Sequence, residues 1–407
     1  MARVLLAWEL GGGLGHLGRL VRTAHLLRSM GHEVGLAARE HARAAPWFQA
    51  GVVLPAPVVS LSGHERIREP ASLAEVLFNA GARDDATLEA LVAGWHRLLD
   101  AFAPQVVVMD YSPFALLALQ GRSTRKVLLG TGFATPPNVS PLPDLRPWQG
   151  HYPDRLWFNE ILVRDLFNAR LAGQRCPALE RLAELFVRVD ANLLATFPEL
   201  DHYPDRTPDA NTDYIGTCSE IPGIEPDWPA GAGPRVFAYL KPFPALVPLL
   251  EYLSDRGIRA LVHLAGAVPG LPEPLPGIQI TREPVAIARA AHDADLAILN
   301  AGHGTTAEML LAGTPILEVP LLVEQGMVAD RVCAIGAGLQ APLDDSKTLL
   351  AALERMLHEA SFRVRARAFA KAHAVYDPDA AARHTAERIA ALASERLPGG
   401  GNSRSPQ

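Results

Sequence analysis

The sequence predicts an α/β protein made of two Rossmann-like domains that face each other across a cleft. Three observations predict it. The chain has 407 residues, too many for one ordinary core. Short apolar runs alternate with helical patterns, as in a parallel sheet covered by helices. The alternation breaks once, in a stretch crowded with proline and glycine, and then restarts.

The elements follow in order. Val4–Trp8 is a continuous apolar run suited to a buried parallel strand. Leu17–Met30 has apolar residues at helical spacing and stops at Gly31. Val34–Ala38 gives a second strand, Asp84–Phe102 a helix, and Val106–Met109 and Val127–Leu129 two more strands. Asn192–Phe197 reads as the last strand of this half. The run from Gly216 to Pro234 lacks periodicity and reads as a linker. Strands are then expected at Val236–Leu240, Ala260–Leu264, Ile278–Ile280, Leu296–Leu299 and Ile316–Val319. Helices are expected near Ala245–Asp255, Val285–Ala291, Thr305–Ala312, Gln325–Ile335 and Asp377–Glu395. The expected organisation is therefore a first domain over 1–222, a linker over 223–234 and a second domain over 235–375. A closing helix over 376–396 and a disordered tail over 397–407 complete it.

Bulk properties exclude several classes. Apolar residues are 49% and charged residues 20%, the balance of an ordinary globular protein. A net charge of -6 argues against a nucleic-acid partner, which calls for a basic face. Cys176, Cys218 and Cys333 are odd in number and far apart, so neither a disulfide framework nor a metal site is expected. They suit a reducing compartment. The opening MARVLLAWELGGG runs into glycines without a cleavage-site pattern and reads as a strand, not a signal peptide. No apolar run approaches the roughly 20 residues of a membrane span. A cytoplasmic location is expected, and peripheral membrane contact is compatible with it.

Two glycine loops carry the chemistry. In the first, Gly13, Gly15 and Gly18 fit G-x-G-x-x-G between the first strand and first helix, and Glu40 follows the second strand. Alone, that pattern suggests an NAD(P)-dependent oxidoreductase. His16 lies inside the same loop, where a helix N-terminus lowers a histidine pKa. A neutral His16 can accept a proton from a hydroxyl, and the same position also suits a cap or a phosphate contact. Asp110 ends the strand VVVMD, where its carboxylate can hold His16 or cap the next turn.

In the second loop, a buried strand leads into Asn300-Ala301-Gly302-His303-Gly304-Thr305-Thr306 and then a helix. Free amides at that helix start form an anion site, Gly302 and Gly304 admit a diphosphate, and Thr305 and Thr306 can add hydroxyls. Glu308, placed in the first turn, suits the helix dipole or ribose hydroxyls. Glu324 and Gln325 follow the next strand, where they suit a sugar or simple capping. Lys241 ends the restarting strand and can meet a diphosphate or solvent.

The segment Asp295–Leu339 resembles the donor-binding signature of the UDP-glycosyltransferase superfamily, roughly H-x-G-x-G-T-x-x-E with an Asp-Gln pair one strand later. Gly302, Gly304, Thr305, Glu308 and Gln325 match in spacing. Pro198–Leu240 and Tyr376–Ile389 are similar to the family's passage between domains and its closing helix. The likeness spans most of the chain and is weakest over Leu61–Arg83 and Pro136–Ala191. It implies a GT-B fold, a nucleoside-diphosphate sugar (UDP-linked) as co-substrate, no cofactor, and inverting, metal-independent hexosyl transfer to a small-molecule or lipid hydroxyl. It implies His16 as base and Asp110 as the acid that orients it. It implies a closing helix that crosses back to the first domain.

Three positions depart from the family. Asn300 replaces a histidine that touches a donor phosphate, and His303 is a candidate to replace that contact. Glu324 replaces an aspartate. Tyr239-Leu240-Lys241-Pro242 replaces a small turn. These departures also fit a non-catalytic nucleotide-sugar-binding protein. The acceptor loops are expected at Ser60–Arg83 and Pro136–Phe167, where Trp148, Tyr152, Trp157 and Phe158 offer an apolar wall or simply pack.

Overall fold

The computed structural model describes residues 1–59, 66–150, 153–217, 222–272 and 274–395. Cys218, Tyr152, part of the segment Ser60–Arg83 and the tail over 397–407 lie outside the described residues.

The first sheet contains β1 (Arg3–Trp8), β2 (Glu33–Ala38), β3 (Val52–Pro55), β4 (Val106–Asp110), β5 (Arg125–Gly130), β6 (Ala191–Leu194) and β7 (Thr212–Tyr214). Its order is β3-β2-β1-β4-β5-β6-β7, with every pairing parallel. The helices of this half are α1 (Leu14–Ser29), α2 (His41–Ala44), α3 (Leu73–Ala80), α4 (Asp85–Phe102), α5 (Pro113–Ala118), α6 (Pro153–Gly173) and α7 (Glu184–Val187). The second sheet contains β8 (Arg235–Leu240), β9 (Arg259–Leu264), β10 (Ile278–Thr281), β11 (Leu296–Leu299), β12 (Ile316–Glu318) and β13 (Gly338–Gln340). Its order is β10-β9-β8-β11-β12-β13, again parallel. Its helices are α8 (Leu246–Asp255), α9 (Ile287–Asp293), α10 (His303–Leu311), α11 (Val323–Ile335), α12 (Ser346–His358) and α13 (Ala360–Ala372), followed by α14 (Pro378–Ser394).

Each sheet is wound in both directions from an inner strand. The winding reverses between β1 and β4 in the first sheet and between β8 and β11 in the second. At such points the connections diverge and leave a crevice beyond the carboxyl ends of the strands. Both crevices receive the glycine loops singled out in the sequence.

Each sheet is buried on both faces. One face of the first sheet packs on α3, α4, α5 and α6, through residues such as Leu77, Trp95, Phe114 and Phe167. Its other face packs on α1 and also on α14, which inserts Ala382, Ala386 and Ile389. Helix α14 starts cleanly: Asp377 accepts hydrogen bonds from the amides of Asp379 and Ala380, and Pro378 fills the first helical position. Arg22 of α1 pairs with Asp379, and Arg125 of β5 with Glu395.

Several expectations need correction. The strand expected over Asn192–Phe197 ends at Leu194 and is not the last of its half, because β7 adds a further edge. Edge strands β3, β7 and β13 were not foreseen, being short and without a long apolar run. The segment read as a variable loop near Pro136–Phe167 contains most of the long helix α6. The linker is pinned where it leaves the break. Ile224 bridges Val285, with the Ile224 amide donating to the Pro284 carbonyl at 2.8 Å. Helix α10 starts at His303, so Glu308 falls in its second turn.

Candidate active site between the two sheets

His16 lies in the first turn of α1, whose N-cap is Gly13 with φ 97°. Its ring stacks on Trp8, with centroids 5.7 Å apart. Its Nδ1–H donates to Asp110 Oδ1 at 2.9 Å. Asp110 ends β4, directly opposite Trp8 in register, and is 2% exposed. Its other oxygen, Oδ2, accepts from Arg19 Nε at 3.2 Å and Nη2 at 2.8 Å. Arg19 was missed in the sequence; the available signal was its spacing three residues beyond His16, on the same helical face.

The electrostatics follow from this triangle. Burial raises the Asp110 pKa, but the charges of Arg19 and His16 outweigh it and hold the carboxyl below its ordinary value. Burial lowers the His16 pKa, but Asp110, by charge and hydrogen bond, outweighs it, and the imidazole ends above its ordinary value. The His16 pKa is therefore raised, where the helix N-terminus alone suggests a lowered one, because the Asp110 carboxylate lies at 2.9 Å.

The remaining ring nitrogen, Nε2, faces Gly11. A Cβ at Gly11 would lie 2.5 Å from it, and Gly11 has φ +76°, so both space and backbone require glycine. Around His16 opens a crevice walled by Tyr111, Leu116, Leu128, Phe133 and Phe186, with Glu324 reaching in from the second half. Trp148, Trp157 and Phe158 do not line it. They are 60%, 56% and 59% exposed, so they are not core. Glu9 holds the crevice edge from behind: its carboxylate accepts the amides of Phe114 and Ala115 at 2.9 and 3.1 Å and bonds Trp95.

Across the cleft, α10 begins at the second winding reversal. Its N-cap Gly302 offers no side-chain cap, so the first-turn amides are open at the positive end of the helix. Added Cβ atoms at Gly302, Gly304, Gly13 or Gly15 would meet nothing within 4 Å, so the glycines border open space. Thr305 is half-buried at this opening. Lys241 is exposed at the end of β8.

Other expected donor residues are committed to the protein. Thr306 donates its hydroxyl to Glu318 Oε1 at 2.8 Å, facing away from the opening. Asn300 accepts the Lys241 amide at 2.7 Å and donates to the Val319 carbonyl at 2.8 Å, joining the ends of β8, β11 and β12. His303 is turned toward the first half. Its Nε2 lies 2.7 Å from Thr196 Oγ1 of the first half, and its ring stacks on His202. Burial holds it well below the ordinary histidine pKa, hence neutral. Gln325 caps its own helix, accepting the Leu321 and Leu322 amides at 2.8 and 3.1 Å. Glu308 is half-buried, and burial lifts its pKa to about 7. Glu40 pairs with Arg43 at 3.1 Å on the surface.

The halves meet at several further contacts. Arg331 of α11 donates to the Glu199 carbonyl at 3.1 Å, and His373 bonds the Glu199 carboxylate at 3.2 Å. Phe197 and Leu200 pack into the second core beside Phe369.

This architecture, two parallel sheets with facing winding reversals, is the GT-B fold. The comparisons agree. No family model matches the chain. A PGL/p-HBAD biosynthesis glycosyltransferase of Mycobacterium tuberculosis is 26% identical over 325 residues, 72% of each chain. The calicheamicin glycosyltransferase CalG4 superposes with a TM-score of 0.73 at 19% identity, covering 96% of this chain and 98% of its own. The glycosyltransferase VinC, solved with dTDP, gives 0.65 at 18%, covering 96% and 99%. The fold is therefore the one these glycosyltransferases share, and this chain carries it over nearly its whole length. In sequence and in fold its likeness is to glycosyltransferases, the activity that the resemblance of its donor segment implied. Among the described residues no helix is long and apolar enough to cross a membrane.

Proposed function

We propose that this chain is an inverting, metal-independent glycosyltransferase. It moves a hexose from a nucleoside-diphosphate sugar, UDP-linked, to a hydroxyl of a small-molecule or lipid acceptor. The observation that carries this reading is the His16–Asp110 pair, 2.9 Å apart, at one winding reversal, facing the open start of α10 at the other.

The acceptor occupies the crevice beside His16, and the donor diphosphate rests on the first-turn amides of α10. His16 Nε2 takes the hydroxyl proton while the oxygen bonds to the anomeric carbon. The bond from that carbon to the diphosphate oxygen breaks on the opposite face, so the configuration inverts. Asp110 stabilises the imidazolium that forms. The amides and dipole of α10, with Thr305 and Lys241, stabilise the departing diphosphate. The apolar walls, from Leu116 to Phe186, suit a hydrophobic aglycone.

Thermal unfolding with UDP, dTDP, GDP, NAD and NADP tests the donor half of the reading. A ligand at 100 times its Kd adds about 2.7 kcal/mol. Stabilisation by UDP is expected. Stabilisation by dTDP alone, the nucleotide bound to VinC, changes the base and keeps the mechanism. Stabilisation by NAD or NADP alone overturns it. His16→Ala is expected to lose transfer while binding nucleotide as before; equal loss of both removes His16 from the role of base. Nucleotide binding without transfer to any acceptor would mark a binding protein instead.

A further inference from the structure

One carboxyl in the donor half has no place in the mechanism above. Glu318 ends β12, fully buried, immediately behind the loop that opens α10. It is paired in register with Leu299, the last residue of β11 before Asn300. Its Oε1 accepts the Thr306 hydroxyl at 2.8 Å, and the Ala301 amide is turned toward the same carboxyl. One side chain thus grips both the loop and the first turn of α10. Ala301, between these anchors, has φ 54°, a left-handed conformation that a non-glycine residue holds only under constraint.

We infer that Glu318 is a positioning residue for the donor site: it sets the Ala301–Thr306 turn from behind and tunes nucleotide affinity through its own charge. This rests on the donor reading above. The second oxygen, Oε2, is buried with no hydrogen-bond partner among the described residues, a state that an ionised carboxylate tolerates poorly. Burial lifts the carboxyl from near 4.5 to about 8, against the Thr306 and Ala301 bonds that lower it.

Among the described residues no cation offsets its burial. On α11 the nearest titratable group is Cys333, its thiol raised by burial and then by Asp330 and Glu318. On α10, His303 is turned to Thr196 and held neutral, and Glu308 lies on another face, two residues from Thr306. Below about pH 8 the turn therefore has a neutral acid behind it. Above that, a negative charge arises behind the helix start that faces the diphosphate, opposing the dipole that attracts it.

The test is calorimetric titration of the full chain with UDP and with dTDP from roughly pH 7.5 to 9.5, clear of the terminal phosphate ionisation near pH 6. In the wild type, Kd is expected to weaken on the order of tenfold across that range. Glu318→Gln, neutral throughout, is expected to bind as at pH 7.5 and stay flat. Thr306→Val removes a bond that lowers the carboxyl, so its transition is expected at higher pH than in the wild type. A flat wild-type profile, or the same slope in Glu318→Gln, overturns the inference while leaving the donor reading intact. Failure of both nucleotides to bind at any pH overturns both. If Glu318→Gln does not fold, the direction of the Thr306→Val shift decides: no shift, or a downward one, overturns it.

Discussion

Asp110 serves two basic side chains with one carboxylate: one oxygen accepts from His16 and the other from the Arg19 fork. That division gives a pH prediction. His16 must be neutral to accept a proton, so the transfer rate should rise with pH as His16 deprotonates. Its raised pKa places that rise above the ordinary histidine range. Asp110→Asn removes the charge that raises it. The rising limb should move to lower pH while kcat falls on the order of 100-fold, because the imidazolium loses its support. A pH–rate profile of the variant checks both, and an unmoved limb would assign the titration to another group. Glu318 gives the complementary linkage. Its folded pKa is raised, so the proton it holds stabilises the fold fully below about 4.5, and that stability is lost as pH rises toward about 8. Denaturant titrations across this window should decline in the wild type and decline less steeply in Glu318→Gln, where Glu308 and Glu9, also raised by burial, still titrate.

His16 and Asp110 are legible in the sequence for a simple reason. Each stands at a strand–helix junction marked by an apolar run and a break, and such junctions in a parallel sheet share one edge. Arg19 and Glu318 are not legible. Arg19 reads as an ordinary polar residue on a helix, and Glu318, inside PILEVP, looks like a misplaced charge. What makes them matter is the neighbour brought by another element, 91 residues away for Arg19 and 12 for Glu318. The donor motif has a second, structural side. Thr306, Gln325 and Asn300 have the chemistry of ligand contacts, yet hold the turns that shape the site.

At the scale of elements, two helix starts carry the proposed chemistry, and neither has a side-chain N-cap bond to its amides. The loop before α1 is as constrained as the helix. Gly11→Ala forces a Cβ to 2.5 Å from His16 Nε2 and leaves alanine at φ +76°. It should cost about 1–2 kcal/mol of stability from the backbone alone. It should also lower kcat by displacing the imidazole, with nucleotide Kd unchanged. Denaturant midpoints and steady-state rates separate the two effects. The central strands were readable because burial on both faces demands unbroken apolar runs. The edge strands were not, since β7 is Thr-Asp-Tyr and owes its pairing to β6. Helix α6 was hidden because it carries Trp157, Phe158 and Leu162 outward while burying Val163 and Phe167, which blurs the helical period.

For the whole molecule, the two-domain plan follows from length, repeated alternation and one break in periodicity. The return of the last helix to the first domain came only from family resemblance, because nothing in the composition of α14 says which core it joins. Helix α14 lays Ala382, Ala386 and Ile389 into the core of the first sheet, beside Leu20 and Leu27 of α1. Ile389→Ala should therefore destabilise the first half by about 2–5 kcal/mol although it lies near the far end of the chain. During synthesis this arrangement imposes an order of events. The first sheet is complete in sequence by Tyr214, yet the part of one face beside α1 stays uncovered until residues 378–394 leave the ribosome. For those seconds the nascent chain displays an apolar strip, the kind of surface that chaperones hold and that associates with other chains. Any early stop before Pro378 would release a protein whose two sheets are intact and whose first core is open.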